Sequence, residues 1–317
     1  MFTRRTFLAL SGAAALSPSP GHASNAISVL GGNAFGTYWR LALPMGTEID
    51  VSGLRAIISQ VDAGFSPFRS DSELSSFNRA DTSDWVPVSA DLTTVLGKGL
   101  EIAAASGGAF DPTIGPLVHR FGFGPIRAGA WGAFEQIDIA AGTVRKADAR
   151  LSLDLCGIAK GHAVDRMVAD LEKQGISDFL LDLGGELRAS GRHPDGRDWQ
   201  VAVESLAGQF PLVVRLDRKA IATSGISAQS YGRNGNMVSH IVDPHTGSPA
   251  GGKMVTVSVL ADDATIADGW ATALMAMPPE AAFETAEAIG LDALLFMRDG
   301  TVLRPVMTGR FAESVLG

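Results

Sequence analysis

The fold of this chain is organised around one stretch, Leu151-Ser-Leu-Asp-Leu-Cys-Gly-Ile-Ala-Lys-Gly-His-Ala-Val-Asp165. Apolar and polar residues alternate over 151–155, which predicts a half-buried strand that ends beside Asp154. Cys156-Gly157 breaks this strand, and the apolar spacing over 158–170 predicts an amphipathic helix. The start of such a helix offers backbone N–H groups to an anion, and Lys160 adds a charge in the first turn. An ordinary connection between a strand and a helix, without a ligand, is the alternative interpretation.

Bulk composition excludes several classes of protein. The chain has 317 residues, enough for a large hydrophobic core in one or two domains. Its formal net charge of −8, without a basic stripe beyond the first residues, argues against a nucleic-acid partner. The single cysteine, Cys156, excludes an intrachain disulfide and any metal site made of several cysteines.

Residues 1–23 have the features of an export signal. Arg4-Arg5 precedes an alanine-rich apolar stretch, and Gly21-His-Ala23 fits a cleavage site of the small-x-small type. A twin arginine is typical of the Tat pathway, and an ordinary Sec signal is the alternative. The apolar part is too short for a permanent membrane anchor. The sequence therefore predicts a periplasmic protein whose functional domain comprises residues 24–317.

The remaining chain alternates between helical and extended patterns. Apolar residues at helical spacing predict helices at 52–61, 90–106, 267–274 and 280–289. Short apolar runs between turn residues predict a first hairpin at 28–43 and later strands at 179–183, 200–203, 212–216, 219–222, 255–260 and 294–297.

Three polar residues outside the central stretch are candidates for chemistry. Asp268 and Thr272 are four residues apart on a predicted helix, so their oxygens lie on one face and suit Mg²⁺. A solvated helix face or a helix cap is the alternative for this pair. His240 stands beside a short strand, where an imidazole can act as general base for an alcohol. A structural histidine that bonds a carbonyl is the alternative for His240.

Eight segments in register carry a resemblance to a known family. They are Phe35-Gly-Thr-Tyr38, Asp71-Ser-Glu-Leu-Ser-Ser-Phe-Asn78, Gly108-Ala-Phe-Asp-Pro-Thr-Ile-Gly-Pro-Leu117, Asp154-Leu-Cys-Gly-Ile-Ala-Lys-Gly161 with Ala163 and Asp165, Leu183-Gly-Gly185, Thr223-Ser-Gly225, His240-Ile-Val-Asp-Pro-His-Thr-Gly247, and Ala267-Asp268 with Ala271-Thr-Ala-Leu274. Together they resemble the ApbE family of FAD:protein FMN transferases, over nearly all of the chain that follows the export signal.

The resemblance implies both a fold and a reaction. The fold is α+β, of the T-fold-like flavin transferase type, with mixed sheets packed against helices. In the reaction, FAD binds with Mg²⁺, and FMN moves onto a threonine or serine hydroxyl of a target flavoprotein through a phosphoester while AMP leaves. Periplasm-facing flavoproteins of electron-transport complexes are the partners that the family implies.

Site residues carry over from the resemblance position by position. His240 corresponds to the base and Lys160 assists at the phosphates. Asp268 and Thr272, with the backbone carbonyl of Gly157, correspond to the metal ligands. The FAD site would be lined by Phe35, Phe68, Ala109, Phe110, Asp111, Asp154, Lys160 and Ile241.

Two positions depart from the family pattern. Phe35 stands where many members have methionine, which puts its flavin contact in doubt, and Cys156 stands where glycine or serine is usual.

Two other functions remain as alternatives. The first alternative function is an FAD pyrophosphatase, in which water replaces the acceptor hydroxyl. The second is a periplasmic flavin-binding protein without turnover, against which the joint presence of Asp268, Thr272 and His240 argues.

Overall fold

The structure, a computed structural model, describes residues 27–203, 212–226, 230–233, 236–300 and 302–316. The predicted export signal at 1–23 lies outside the described residues. No helix in the described ranges has both the length and the apolar composition needed to cross a bilayer.

An eight-stranded antiparallel sheet forms the centre of the molecule. With strands numbered along the chain, its spatial order is β1 (Ile27–Ala34), β2 (Thr37–Pro44), β6 (Phe179–Leu183), β7 (Glu186–Ser190), β10 (Ala220–Gly225), β15 (Met254–Ala261), β16 (Asp292–Asp299) and β17 (Val302–Met307). The apolar strand β15 is buried along nearly its whole length, because other elements cover both of its faces.

Smaller antiparallel sheets surround this centre. One has the order β3 (Val86–Pro87), β5 (Thr143–Lys146) and β4 (Ile137–Ala140), and another has the order β18 (Val315–Leu316), β9 (Leu212–Leu216) and β8 (Trp199–Val203). Two hairpins pair β11 (Ser230–Arg233) with β12 (Asn236–Ser239) and β13 (Val242–Asp243) with β14 (Ser248–Pro249). The second hairpin follows directly after His240, so it fixes where that residue lies.

The helices pack in layers on the central sheet. They are α1 (Ser52–Phe65), α2 (Glu73–Arg79), α3 (Ala90–Ala105), α4 (Gly115–Arg120), α5 (Ala159–Lys173), α6 (Ala264–Ala276) and α7 (Pro279–Ala288), with 3-10 turns at Phe134–Gln136 and Phe311–Ser314. Helix α5 packs on β6 and β7, and α6 packs on β7, β10 and β15. One hydrophobic cluster extends from Ala34 to Phe311. The predicted α+β fold, in which helices and strands share a core, is confirmed.

Helices α5 and α6 cap each other. The Asp268 carboxylate on α6 accepts a hydrogen bond from the backbone N–H of Gly161 at 2.9 Å. In return, the Asp165 carboxylate on α5 accepts from the N–H groups of Ala264 and Thr265 at 2.7 and 2.9 Å. Both carboxylates thereby meet the positive end of a helix dipole. A Cβ on Gly161 would lie 2.2 Å from the Ala264 carbonyl oxygen, so the two helix starts approach too closely for any side chain there.

The strand predicted at 151–155 is wrong, although the segment is buried as expected. The segment joins no sheet, because its backbone groups find partners outside any ladder. The Asn78 side chain donates to the carbonyl of Leu153 at 2.8 Å and accepts from its N–H at 2.7 Å. The N–H of Asp154 donates to the Pro112 carbonyl at 2.7 Å, and Lys146 Nζ donates to the Leu151 carbonyl at 3.1 Å. The Asn78 side chain thus makes the two hydrogen bonds to Leu153 that a neighbouring strand would make in a sheet.

The replacement of Asn78 by alanine tests this arrangement. We expect Asn78→Ala to lower the free energy of unfolding by about 2 kcal/mol or more, because it leaves two backbone groups of Leu153 without partners. Urea unfolding measures the change, with Asn33→Ala on the exposed strand β1 as the control. Equal stability of the two variants would contradict the role given to Asn78.

Candidate active site

A cleft with about 970 Å³ of empty space, part of it open to solvent, lies at the starts of α5 and α6. The turn before α5, the β6–β7 turn, strand β10 and the segment before β13 complete its walls. All but two of the sequence-predicted site residues line this cleft, namely Ala109, Phe110, Asp111, Asp154, Gly157, Lys160, His240, Ile241, Asp268 and Thr272. Four separate parts of the chain therefore converge on one site.

Helix α6 presents the hard oxygen ligands. It is buried on almost all sides, and Asp268 is a charged exception at 3% exposure. Thr272 lies one turn further along the same face, and its hydroxyl donates to the Gly157 carbonyl at 3.2 Å. Burial raises the pKa of Asp268, whereas the Lys160 ammonium and the Gly161 N–H oppose this rise. A buried carboxylate of this kind favours a cation as its partner.

Lys160 forms an ion pair with a buried acid in the cleft wall. Its ammonium contacts Oε1 of Glu186, the first residue of β7, which is only 2% exposed. Burial lowers the pKa of Lys160, but the carboxylates of Glu186 and then Asp268 outweigh it and leave this pKa raised. Lys160 is therefore a cation at neutral pH, positioned between two carboxylates.

The loop before α4 forms the opposite wall. Phe110 is buried, and a Cβ on Gly157 would come within 3.3 Å of its ring. Asp111 Oδ1 accepts from the N–H and the hydroxyl of Thr113, both at 2.7 Å, whereas Oδ2 is buried without a partner. Asp154 Oδ1 accepts from the Cys156 N–H at 3.0 Å. The loop thus supplies a flat apolar surface and the Asp111 carboxylate to a ligand, and the segment before α5 adds the Asp154 carboxylate.

His240 and Ile241 lie between β12 and β13. Ile241 is buried, and its N–H donates to the Ser239 hydroxyl at 3.1 Å while its carbonyl accepts from Ala250 at 2.8 Å. The His240 ring is half-buried and faces the Phe123 ring edge-on, with 6.1 Å between the centroids. His240 thereby lines the same cleft as Asp268 and Thr272.

Comparisons with known proteins identify the family. A model of the ApbE family matches residues 35–295. The chain belongs to the ApbE family. It is 32% identical to the FAD:protein FMN transferase of Klebsiella pneumoniae, in an alignment that covers 94% of this chain and 92% of that protein. It is 34% identical to the FAD:protein FMN transferase of Vibrio cholerae, over 80% of this chain and 79% of that protein.

Solved ApbE structures share the fold. The flavin transferase ApbE from Vibrio cholerae superimposes with a TM-score of 0.81 at 30% identity, over 91% of this chain and 100% of that one. The apo form of the flavinyl transferase ApbE from Pseudomonas stutzeri superimposes with a TM-score of 0.82 at 31% identity, over 91% of this chain and 96% of that one. The expected flavin transferase fold is therefore confirmed.

The oxygen atoms in this ApbE cleft fit Mg²⁺. Among the described residues, no group of three or more His, Cys, Asp and Glu side chains is arranged around a metal position. The candidate set is instead mixed, with one carboxylate on Asp268, one hydroxyl on Thr272 and one backbone carbonyl at Gly157. Mg²⁺ accepts such hard oxygens and keeps several waters or substrate phosphate oxygens.

Some predicted features take another place in the structure. Phe35 occupies the β1–β2 turn at φ 49°, Phe68 is 67% exposed, and neither lines the cleft, so their flavin contacts stay predictions. The N–H of Gly161, predicted to be available to an anion, donates to Asp268 instead. Cys156 is exposed in the cleft, but its crowded surroundings and Asp154 raise the pKa of its thiol, which disfavours the reactive thiolate.

Two cleft residues had no assigned role in the sequence-based prediction. Glu186 follows a Gly-Gly turn and Asp182 precedes the same turn, so the local sequence did not mark Glu186 as the buried acid. Ser224 stands on β10, and its hydroxyl lies 3.4 Å from that of Thr272. Contacts between distant parts of the chain reveal both residues, whereas local patterns do not.

Replacement of Asp111 by asparagine separates ligand binding from stability. Burial raises the pKa of Asp111 above its ordinary value, and the Thr113 hydrogen bonds only partly offset this. A carboxyl whose pKa is higher in the folded than in the unfolded state lowers stability as pH rises from the unfolded pKa through the folded pKa, so the penalty is greater at neutral than at acidic pH. We expect Asp111→Asn to stabilise the fold by about 0.5–2 kcal/mol at pH 7, and by less at pH 5, while FAD binds more weakly.

Urea unfolding at both pH values and fluorescence titration with FAD measure these effects. Asp217→Asn, in the exposed turn after β9, is the control. If Asp111→Asn is less stable than the parent at pH 7, the assignment of a desolvation penalty to the Asp111 carboxylate is wrong.

Proposed function

We propose that this chain is an FAD:protein FMN transferase that depends on Mg²⁺ and links FMN to a serine or threonine of a target protein. The observation that supports this proposal is the convergence of Asp268, Thr272 and the Gly157 carbonyl beside Lys160 in one cleft. The names of the relatives supply the reaction class, and the cleft supplies groups that this reaction needs.

The reaction is a transfer at the phosphorus of the FMN half of FAD. The acceptor oxygen forms a new bond to this phosphorus, the bond between phosphorus and the bridging oxygen breaks, and AMP leaves. Mg²⁺, held by Asp268, Thr272 and Gly157, would neutralise charge on the phosphate oxygens. The Lys160 ammonium adds a second positive charge that is fixed in place before the substrate arrives.

The remaining residues orient the reactants. The imidazole of His240 takes the proton from the acceptor hydroxyl as its oxygen attacks. Phe110 offers a flat apolar contact to an aromatic ring, and Asp111 and Asp154 accept hydrogen bonds from adenine or ribose. The buried position of Asp268 keeps water away from the charged groups and strengthens their interactions.

One incubation separates this proposal from its two alternatives. The full chain is mixed with FAD, MgCl₂ and a peptide that carries a Ser/Thr acceptor, and the products are analysed by mass spectrometry. We expect the peptide to gain the mass of FMN and AMP to accumulate. Free FMN with AMP and an unmodified peptide would indicate an FAD pyrophosphatase. Intact FAD after long incubation would indicate a binding protein without turnover.

We further propose that the protein acts in the periplasm after export by the Tat pathway. This rests on Arg4-Arg5 and the apolar stretch that follows them. We expect Arg4→Lys with Arg5→Lys to keep the protein in the cytoplasmic fraction, as measured by cell fractionation. Continued export of this variant would favour the Sec pathway. The proposed partners are periplasm-facing flavoproteins of electron-transport complexes.

A further inference from the structure

Glu186 is a buried acid in the cleft wall that the proposed reaction does not use. It is 2% exposed and is in ion-pair contact with Lys160 through Oε1. Its other oxygen, Oε2, is buried and has no hydrogen-bond partner in the described structure. Burial raises the pKa of Glu186, and the Lys160 ammonium is the strongest influence that opposes this rise.

Asp268 lies near Lys160 in the cleft, because its carboxylate accepts from the N–H of Gly161, the residue that follows Lys160. Asp268 contributes to the raised pKa of Lys160 after Glu186, and the ammonium in turn opposes the rise in the pKa of Asp268. Nevertheless, in the described part of the chain Lys160 pairs with Glu186 and has no ion-pair contact within 4.0 Å of Asp268. Lys160 therefore lies near two acids, and its ammonium is in ion-pair contact with Glu186 and not with Asp268.

The backbone fixes where Glu186 stands. It follows the turn at Gly184 and Gly185, whose φ angles of 64° and 107° favour glycine. A Cβ on Gly184 would lie 2.5 Å from the Thr37 side chain, so this turn is pressed against the β1–β2 turn. Strand β7 is also paired on both sides, with β6 and β10. The backbone at 186 is therefore held in place, and an aspartate there would set its carboxylate one methylene further from the Lys160 ammonium.

We propose that Glu186 is a positioning residue that holds the Lys160 ammonium away from Asp268, so that Asp268 stays available to a divalent cation. Without this ion pair, the ammonium turns to Asp268 and competes with Mg²⁺ for the same carboxylate. This inference rests on the metal site of the proposed function.

Titration with Mg²⁺ alone tests the inference. MgCl₂ is titrated into the full chain, free of FAD, by isothermal calorimetry. We expect Glu186→Gln and Glu186→Asp to weaken Mg²⁺ binding by about tenfold or more, the effect of a competing unit charge in a buried site. Glu284→Gln, on the exposed face of α7, is the control and should bind Mg²⁺ as the parent does.

The aspartate variant separates positioning from a general effect of charge. It keeps the negative charge but withdraws it by one methylene from Lys160. Parent-like Mg²⁺ binding by Glu186→Asp would overturn the proposal. It would show that a negative charge near position 186 is sufficient and that its contact with the Lys160 ammonium is not needed.

A double variant covers the case in which the single variants do not fold. Glu186→Leu with Lys160→Met replaces the buried ion pair by apolar groups of similar size, a change that proteins often tolerate. Because no ammonium is left to compete, we expect Mg²⁺ binding within about threefold of the parent. Loss of binding in this folded double variant would also overturn the proposal.

Asp268→Asn distinguishes the failure of this inference from the failure of the metal site. If Asp268→Asn binds Mg²⁺ as the parent does, the metal site of the proposed function is wrong. If it loses Mg²⁺ while both Glu186 variants keep it, only the role of Glu186 is wrong.

Discussion

Replacing Asp268 by asparagine should abolish FMN transfer, with a fall in rate of about 10³-fold or more at saturating FAD. A metal ion at a transferring phosphate contributes several kcal/mol to the transition state, and each 1.36 kcal/mol is about a factor of ten. Asparagine still offers an oxygen to the Gly161 N–H, so the cap on α5 is preserved. The variant therefore removes a charge and little else.

Single-turnover kinetics over a range of MgCl₂ concentrations measure this effect. The matched control is Asp263→Asn on the same helix, where asparagine still caps α6 but the ion pair with Lys98 is lost. We expect the control to transfer FMN at the parental rate. A parental rate for Asp268→Asn at limiting Mg²⁺ would show that the metal binds elsewhere.

Replacing His240 by glutamine should slow transfer to the acceptor by about 10²–10⁴-fold, the usual contribution of a general base. Glutamine keeps polar atoms in a similar place but does not take up a proton near neutral pH. FAD binding should change little, because the proton that His240 removes belongs to the acceptor and not to FAD. The loss should therefore appear in kcat and not in the affinity for FAD.

The pH profile of transfer provides the second readout. We expect the limb of the profile that reports the base to disappear in His240→Gln. His245→Gln is the matched control, since His245 is exposed and its Nε2 contacts the Gly107 carbonyl at 2.9 Å. Transfer by His240→Gln at the parental rate, with an unchanged profile, would reject the role of base.

Long periodic segments were predictable from the sequence because their local pattern and their burial agree. Helices α1, α3, α5 and α6 form where the apolar spacing predicts them, and the first hairpin turns at Phe35-Gly36 as expected. The failure at 151–155 has a definite cause. Alternating side chains show that a segment is extended and half-buried, but they do not say what satisfies its backbone, and here the Asn78 side chain does so.

The amino-acid sequence by itself determined the family and, through the family resemblance, the α+β class and ten of the residues that line the cleft, because the motifs are local stretches of the chain. Only the tertiary structure decided which charges meet. Asp268 on α6 caps α5, and Asp165 on α5 caps α6. Glu186 on β7 forms an ion pair with Lys160 on α5, so each of the three contacts joins two separate elements. Free energies of burial and ion pairing depend on distance in space, and the sequence alone does not specify these distances.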